Sequence, residues 1–172
     1  MVTPPADGAP VPASEVPALD AAAARRNRAC IVTLGGRPFA VDVREAREVV
    51  LLEPLTALPG APAPLLGVAN LRGSILGVAE ARPLLGLPSR PVAAGSPALI
   101  LAVGDLQAAM PIDRVVGLDW FETPQPLEAN DARPGAAFAA GLVPHADDFA
   151  TLLDAGRLLD ALRAPWASVA EA

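Results

Sequence analysis

Chemistry has few places to sit in this chain. Among 172 residues there is one histidine, one cysteine and no lysine, all 13 basic residues being arginine. Nucleophilic and acid–base catalysis draw on His, Cys, Lys or paired carboxylates held within hydrogen-bond reach. Cys30 opens an apolar run and reads as a small buried hydrophobe. His145 stands in His145-Ala146-Asp147-Asp148, which offers a metal three side chains but at no recognised ligand spacing; a solvated acidic turn is the better reading. Without lysine a Walker-type phosphate loop is excluded, and no G-x-G-x-x-G fingerprint occurs. These residues point away from catalysis, from a metal and from a cofactor.

One arginine asks for a different role. The run Gly67–Leu87, GVANLRGSILGVAEARPLLGL, breaks at Asn70, shows Arg72 beside Gly73, and turns apolar again. Asn and Gly tolerate the left-handed backbone of tight turns, so Asn70 and Gly73 are expected to hold a turn from which Arg72 points outward. Upstream, Ala46-Arg47-Glu48-Val49-Val50-Leu51-Leu52 alternates charged and apolar residues in the manner of an exposed strand. Such an edge can meet a partner through backbone pairing. An ordinary half-buried strand with its charges in water fits equally well.

The elements that must position these residues are short and β-rich. ACIVTL, GGR and PFAVDV form a hairpin signal, and the shape returns as ALILAV, GD and LQAAMPID. A slide of 69 places puts Ile31 on Ile100, Gly35 on Gly104 and Ala40 on Ala109. A slide of 74 puts Gly67 on Gly141, Glu80 on Asp154, and Leu84–Leu85 on Leu158–Leu159. Each half thus reads as hairpin, strand, Pro-rich connection, two more strands and a short Leu-rich helix, a duplicated unit giving two small barrels or sheets packed together. The duplication supplies an internal control. Pro144-His145-Ala146-Asp147 lies where the first half has Asn70-Leu71-Arg72-Gly73. Both halves need a turn; only one uses an arginine.

Composition narrows the class. Hydrophobic residues make up 52% and aromatics 3%, with no Tyr, so small aliphatic side chains must fill an all-β core. A net charge of −6 repels phosphate backbones and argues against nucleic acid. The lone cysteine fits a reducing compartment. The Pro- and Ala-rich residues 1–27 read as a flexible leader, dispensable for folding, with neither a signal peptide's basic start nor its apolar core. No apolar run is long enough to span a bilayer, so a cytoplasmic chain without membrane insertion is expected. Order is expected over 28–165, with a short tail at 166–172. Leu158, Leu159 and Leu162 share one face of a C-terminal helix that should pack on the barrels.

In order along the chain, FAVDVREAREVV, LPGAPAPLLGVANLRGSILGV with E-A-R-P-L-L, AAMPIDRVVGL and LLDAGRLLDAL resemble the CheW family over roughly Ala29–Arg163. The most specific element is G-V-x-N-L-R-G. The resemblance implies two five-stranded SH3-like barrels in one CheW-like domain and a non-catalytic adaptor. Its implied partners are the cytoplasmic tip of methyl-accepting chemoreceptors and the regulatory domain of a CheA-type histidine kinase. Arg72 matches the motif arginine and Glu48 the acid of V-R-E-V; the expected partner-binding set is Ala46, Arg47, Glu48, Val49, Asn70, Leu71, Arg72 and Gly73. The family fold places Glu48 close enough to pair with Arg72. Ala46 replaces the usual Val, Gly77 the common Pro, and Glu80-Ala81-Arg82 the usual Asp-Leu-Arg. The alternatives are a divergent paralogue in a non-flagellar pathway such as pilus-based motility, and a small β-barrel ligand-binding module.

Overall fold

Ten strands carry the fold of the described residues: β1 Asn27–Leu34, β2 Arg37–Asp42, β3 Ala46–Leu51, β4 Leu65–Leu71, β5 Ser74–Ala79, β6 Pro97–Val103, β7 Leu106–Pro111, β8 Arg114–Phe121, β9 Ala139–His145 and β10 Asp148–Leu153. One helix, α1 Ala155–Ala170, follows. The structure, a computed structural model, describes residues 26–170, and side chains as far as Pro165. The leader expected at 1–27 therefore lies outside the described residues apart from Arg26 and Asn27, the latter already in β1. The helix continues past 165, where a tail was expected.

The strands form two five-stranded sheets, ordered β8-β1-β2-β10-β9 and β3-β6-β7-β5-β4. Each sheet has an SH3-like curl, and its two outer strands are not paired directly. An isolated bridge ties the connection after one outer strand to the other outer strand, Thr56 to Val68 on β4 in one and Gln125 to Leu142 on β9 in the other. The two orders are the same when each strand is replaced by its counterpart in the other half. The duplication is nevertheless exchanged: the β1–β2 hairpin of the first half joins strands β8 to β10 of the second, while β6–β7 joins β3 to β5.

Local irregularities repeat with the same offsets. Bulges leave Arg47 and Val116 unpaired, 69 residues apart. Two further bulges leave out Leu66 and Ala140, 74 apart. Gly67 and Gly141 have φ of 150° and 154°. A Cβ on Gly67 would stand 2.5 Å from the Thr56 carbonyl oxygen, so glycine is what lets the bridge form. One expected repeat fails. Ala81–Leu87 forms only a turn, Leu85 N–H bonding back to the Ala81 carbonyl, because Pro83 and Gly86 interrupt helix growth.

Burial explains the nearly unbroken apolar run of β1. Ala29 and Ile31 face one barrel interior, while Cys30, Val32 and Leu34 face a core shared by both barrels. In the other barrel Ala98 and Ile100 point inward and Leu99 and Leu101 join the shared core. Strands covered on both faces need apolar residues at every position. Helix α1 starts on Asp154, whose carboxylate accepts the Arg157 N–H at 2.9 Å as an N-cap. It buries Leu158, Leu159 and Leu162 in the shared core, as their spacing foretold.

Candidate partner-binding site

The Asn70–Gly73 turn is a two-residue hairpin connection in which Leu71 pairs with Ser74. Arg72 and Gly73 carry its positive φ values, 51° and 85°, the pattern of tight hairpin turns. This corrects the expectation for Asn70, which is not left-handed. Its Oδ1 instead accepts the Gly73 N–H at 3.0 Å and braces the turn from the side. Ala146 occupies the same place in the second half with φ 50°, so a left-handed residue is required by the turn and not by Arg72's chemistry.

Glu48 lies on β3, an outer strand of the same sheet. Its Oε2 is 3.0 Å from Nη2 of Arg72, and the side chains are 37% and 81% exposed. The ion pair thus spans the opening between β3 and the β4–β5 hairpin while most of the guanidinium stays in water. The bulge at Arg47 shifts the register between Ala46 and Glu48 and re-aims this edge. Arg47 and Val49 are exposed; Ala46, Glu48 and Leu71 are half-buried; Asn70 and Gly73 are exposed. The structure gathers the expected residues onto two neighbouring segments.

Sequence reasoning missed Ile75 and Leu51. Ile75 stands opposite Asn70 in the hairpin and is 77% exposed, and Leu51 on β3 is 68% exposed. They put exposed large aliphatic side chains on the same strand as Glu48 and on the same hairpin as Arg72. The available signal was strand alternation: Leu51 shares the outward parity of Arg47 and Val49.

Other charged residues serve the framework. Arg82, 3% exposed, donates to both Glu80 oxygens at 2.9 Å and to Asp113 at 2.8 Å. Burial alone raises an acid's pKa, but at Asp113 the Gly36 N–H, Arg82 and Arg90 outweigh it and hold the carboxyl below its ordinary range. Burial pushes the Cys30 thiol up, away from the reactive thiolate. His145 Nδ1 lies 2.6 Å from Asp119 Oδ2, tying β9 to β8 across the second barrel much as Arg72 and Glu48 tie the first. Among the described residues no group of three or more His, Cys, Asp or Glu is placed to hold a metal, and no helix is long and apolar enough to cross a membrane.

Known proteins share this frame. The family model of the CheW-like domain matches residues 28–163. A probable chemotaxis protein CheW of Rhizobium etli is 39% identical over 61 residues, 35% of this chain and 39% of that protein. Protein PilI of Pseudomonas aeruginosa is 32% identical over 102 residues, 56% of this chain and 57% of the relative. These alignments span between two fifths and three fifths of those relatives' lengths. The crystal structure of scaffolding protein TtCheW from Thermoanaerobacter tengcongensis superposes with a TM-score of 0.65 at 21% identity, covering 74% of this chain and 84% of that one. Both barrels and most of α1 lie inside the matched span, and the chain belongs to the CheW family.

Proposed function

We propose that this chain is a cytoplasmic, non-catalytic adaptor that couples the cytoplasmic tip of chemoreceptors to the regulatory domain of a CheA-type histidine kinase. The observation that carries the reading is the Arg72–Glu48 pair, held on a braced turn beside exposed Val49, Leu51 and Ile75. A planar guanidinium ordered in advance by one carboxylate meets a partner's carboxylates or carbonyls at little entropic cost. Membership of the CheW family supports the adaptor role, and the partner-binding assignment extends to Ala46, Arg47, Asn70, Leu71 and Gly73 around the pair.

The test is a titration of the chain, by calorimetry, with a receptor-tip fragment and with the kinase regulatory domain. Wild type binds at least one of them; Arg72→Ala keeps its fold and loses about 2 kcal/mol or more of binding, the scale of an interface hot spot. Unchanged affinity of Arg72→Ala for both partners refutes the assigned surface. Absence of any binding by wild type refutes the adaptor reading itself.

A second reading concerns the pathway. The likeness to Protein PilI runs over 102 residues, against 61 for the Rhizobium etli relative. It favours a non-flagellar system such as pilus-based motility, which deletion of the gene distinguishes by whether swimming or surface motility is lost.

A further inference from the structure

Arg26, the first described residue, forms part of the wall of a surface pocket of about 480 Å3, together with Trp120, Phe121, Glu122, Thr123 and Pro144. Trp120 is 57% exposed on the outer strand β8, in a chain with only two tryptophans. Arg28 lies opposite it on β1 and sets its guanidinium 4.9 Å from the indole centroid, which steadies the ring. An exposed, fixed indole beside a proline ring is the chemistry that receives proline-containing segments, whose extended conformation costs little entropy to hold.

Such a segment is joined directly to the pocket. Residues 1–25 contain Pro4, Pro5, Pro10, Pro12 and Pro17, with Asp7, Glu15 and Asp20 and no basic side chain before Arg25. Between Pro10 and Leu19 the one charged side chain is Glu15, which complements Arg28; Arg26 already has a partner in Glu122, 3.8 Å away. Pro17 precedes Arg26 by nine residues. Extended chain of that length reaches about 30 Å, ample for a return to a pocket whose wall is Arg26 itself. We propose that Pro10–Leu19 of this chain docks intramolecularly in the pocket, its prolines against Trp120 and Pro144. Tethering supplies an effective concentration of roughly millimolar order, so a contact too weak to join separate molecules is populated within one. A partner that uses the adjoining β8 surface then has to displace the chain's own leader.

The experiment keeps the full chain. A nitroxide is attached at Ser14→Cys, the buried Cys30 being inert to the reagent. Amide and indole NMR signals are then compared with the reduced label. The expected result is selective loss of the Trp120 indole N–H signal and of the Phe121–Thr123 amides; both recover in Pro12→Ser with Pro17→Ser, and the amides recover in Trp120→Ala. Loss spread evenly over the surface, or unchanged by the proline substitutions, overturns the proposal. Should Trp120→Ala lose its dispersed spectrum, the proline variant alone decides. A mixture of nitroxide-bearing chains with isotope-labelled chains lacking the nitroxide separates the alternatives. Loss at the pocket in that mixture means docking on a second copy and overturns the intramolecular assignment.

Discussion

Two arginines show how far burial decides what a charge is for. Arg82 is enclosed between Glu80 and Asp113, so removing it leaves the buried Glu80 carboxylate uncompensated, whereas Arg72 is 81% exposed and its pair with Glu48 contributes only about 0–1 kcal/mol. Arg72 also holds φ at 51°, which glycine adopts without penalty. Arg72→Gly should therefore leave thermal stability unchanged or raised by up to about 1 kcal/mol while abolishing partner binding. A stability loss above that scale would place Arg72 in the framework. Asp113, half-buried beside Arg82, carries a pH dependence of its own. Its pKa is lowered in the fold, so its contribution is present above the ordinary carboxylate value of about 3.9 and is lost as pH falls through the depressed value. Urea unfolding followed from pH 6 downward should show the stability decline of wild type below about pH 4, and a shallower decline in Asp113→Asn. Equal slopes would refute the assignment.

At the scale of elements, two glycines in one hairpin have opposite requirements. Gly67 lies against the Thr56 carbonyl, and a Cβ there would sit 2.5 Å from its oxygen. Gly67→Ala should cost about 1–3 kcal/mol and break the Thr56–Val68 bridge, read as faster exchange of those two amides. Gly77, on β5, would bring a Cβ only to 3.4 Å from Leu65 Cδ1. Gly77→Ala should be neutral or stabilising by about 0.5–1 kcal/mol, since it removes chain entropy from the unfolded state. A large penalty at Gly77 would mean that Leu65 cannot give way. Helix α1 is held by its apolar face: Leu159 is 3% exposed in the shared core. Leu159→Ala should cost about 2–5 kcal/mol in denaturant melts, and a cost under about 0.5 kcal/mol would show the helix to be a loose appendage.

The whole molecule is one unit because the duplication is exchanged. Each barrel takes two strands from one half and three from the other, and the shared core draws on both sheets and α1. A chain divided in the connection between β5 and β6, at Ala93–Ala94, should give two fragments that each lack a dispersed amide spectrum. Mixed together they should recover it, since every strand then regains its neighbours. A fragment that folds alone would show that the exchange is dispensable.

Much of this was legible in the residues. The hairpins, the repeat, the Leu158–Leu159–Leu162 face and the turn at Asn70–Gly73 all follow from periodicity and turn chemistry, which act over a few neighbouring residues. Other features depended on long-range pairing, to which local pattern is blind. Sequence could not say that β1–β2 leaves its own half, that Arg72 and not Asn70 takes the left-handed position, or that Ile75 ends in water. Nor could it place Arg26, Arg28 and Trp120 together, because β1 and β8 become neighbours only when the β1–β2 hairpin joins the sheet of the other half. Alternation decides which face a side chain takes; the order of strands in the sheet decides what it finds there.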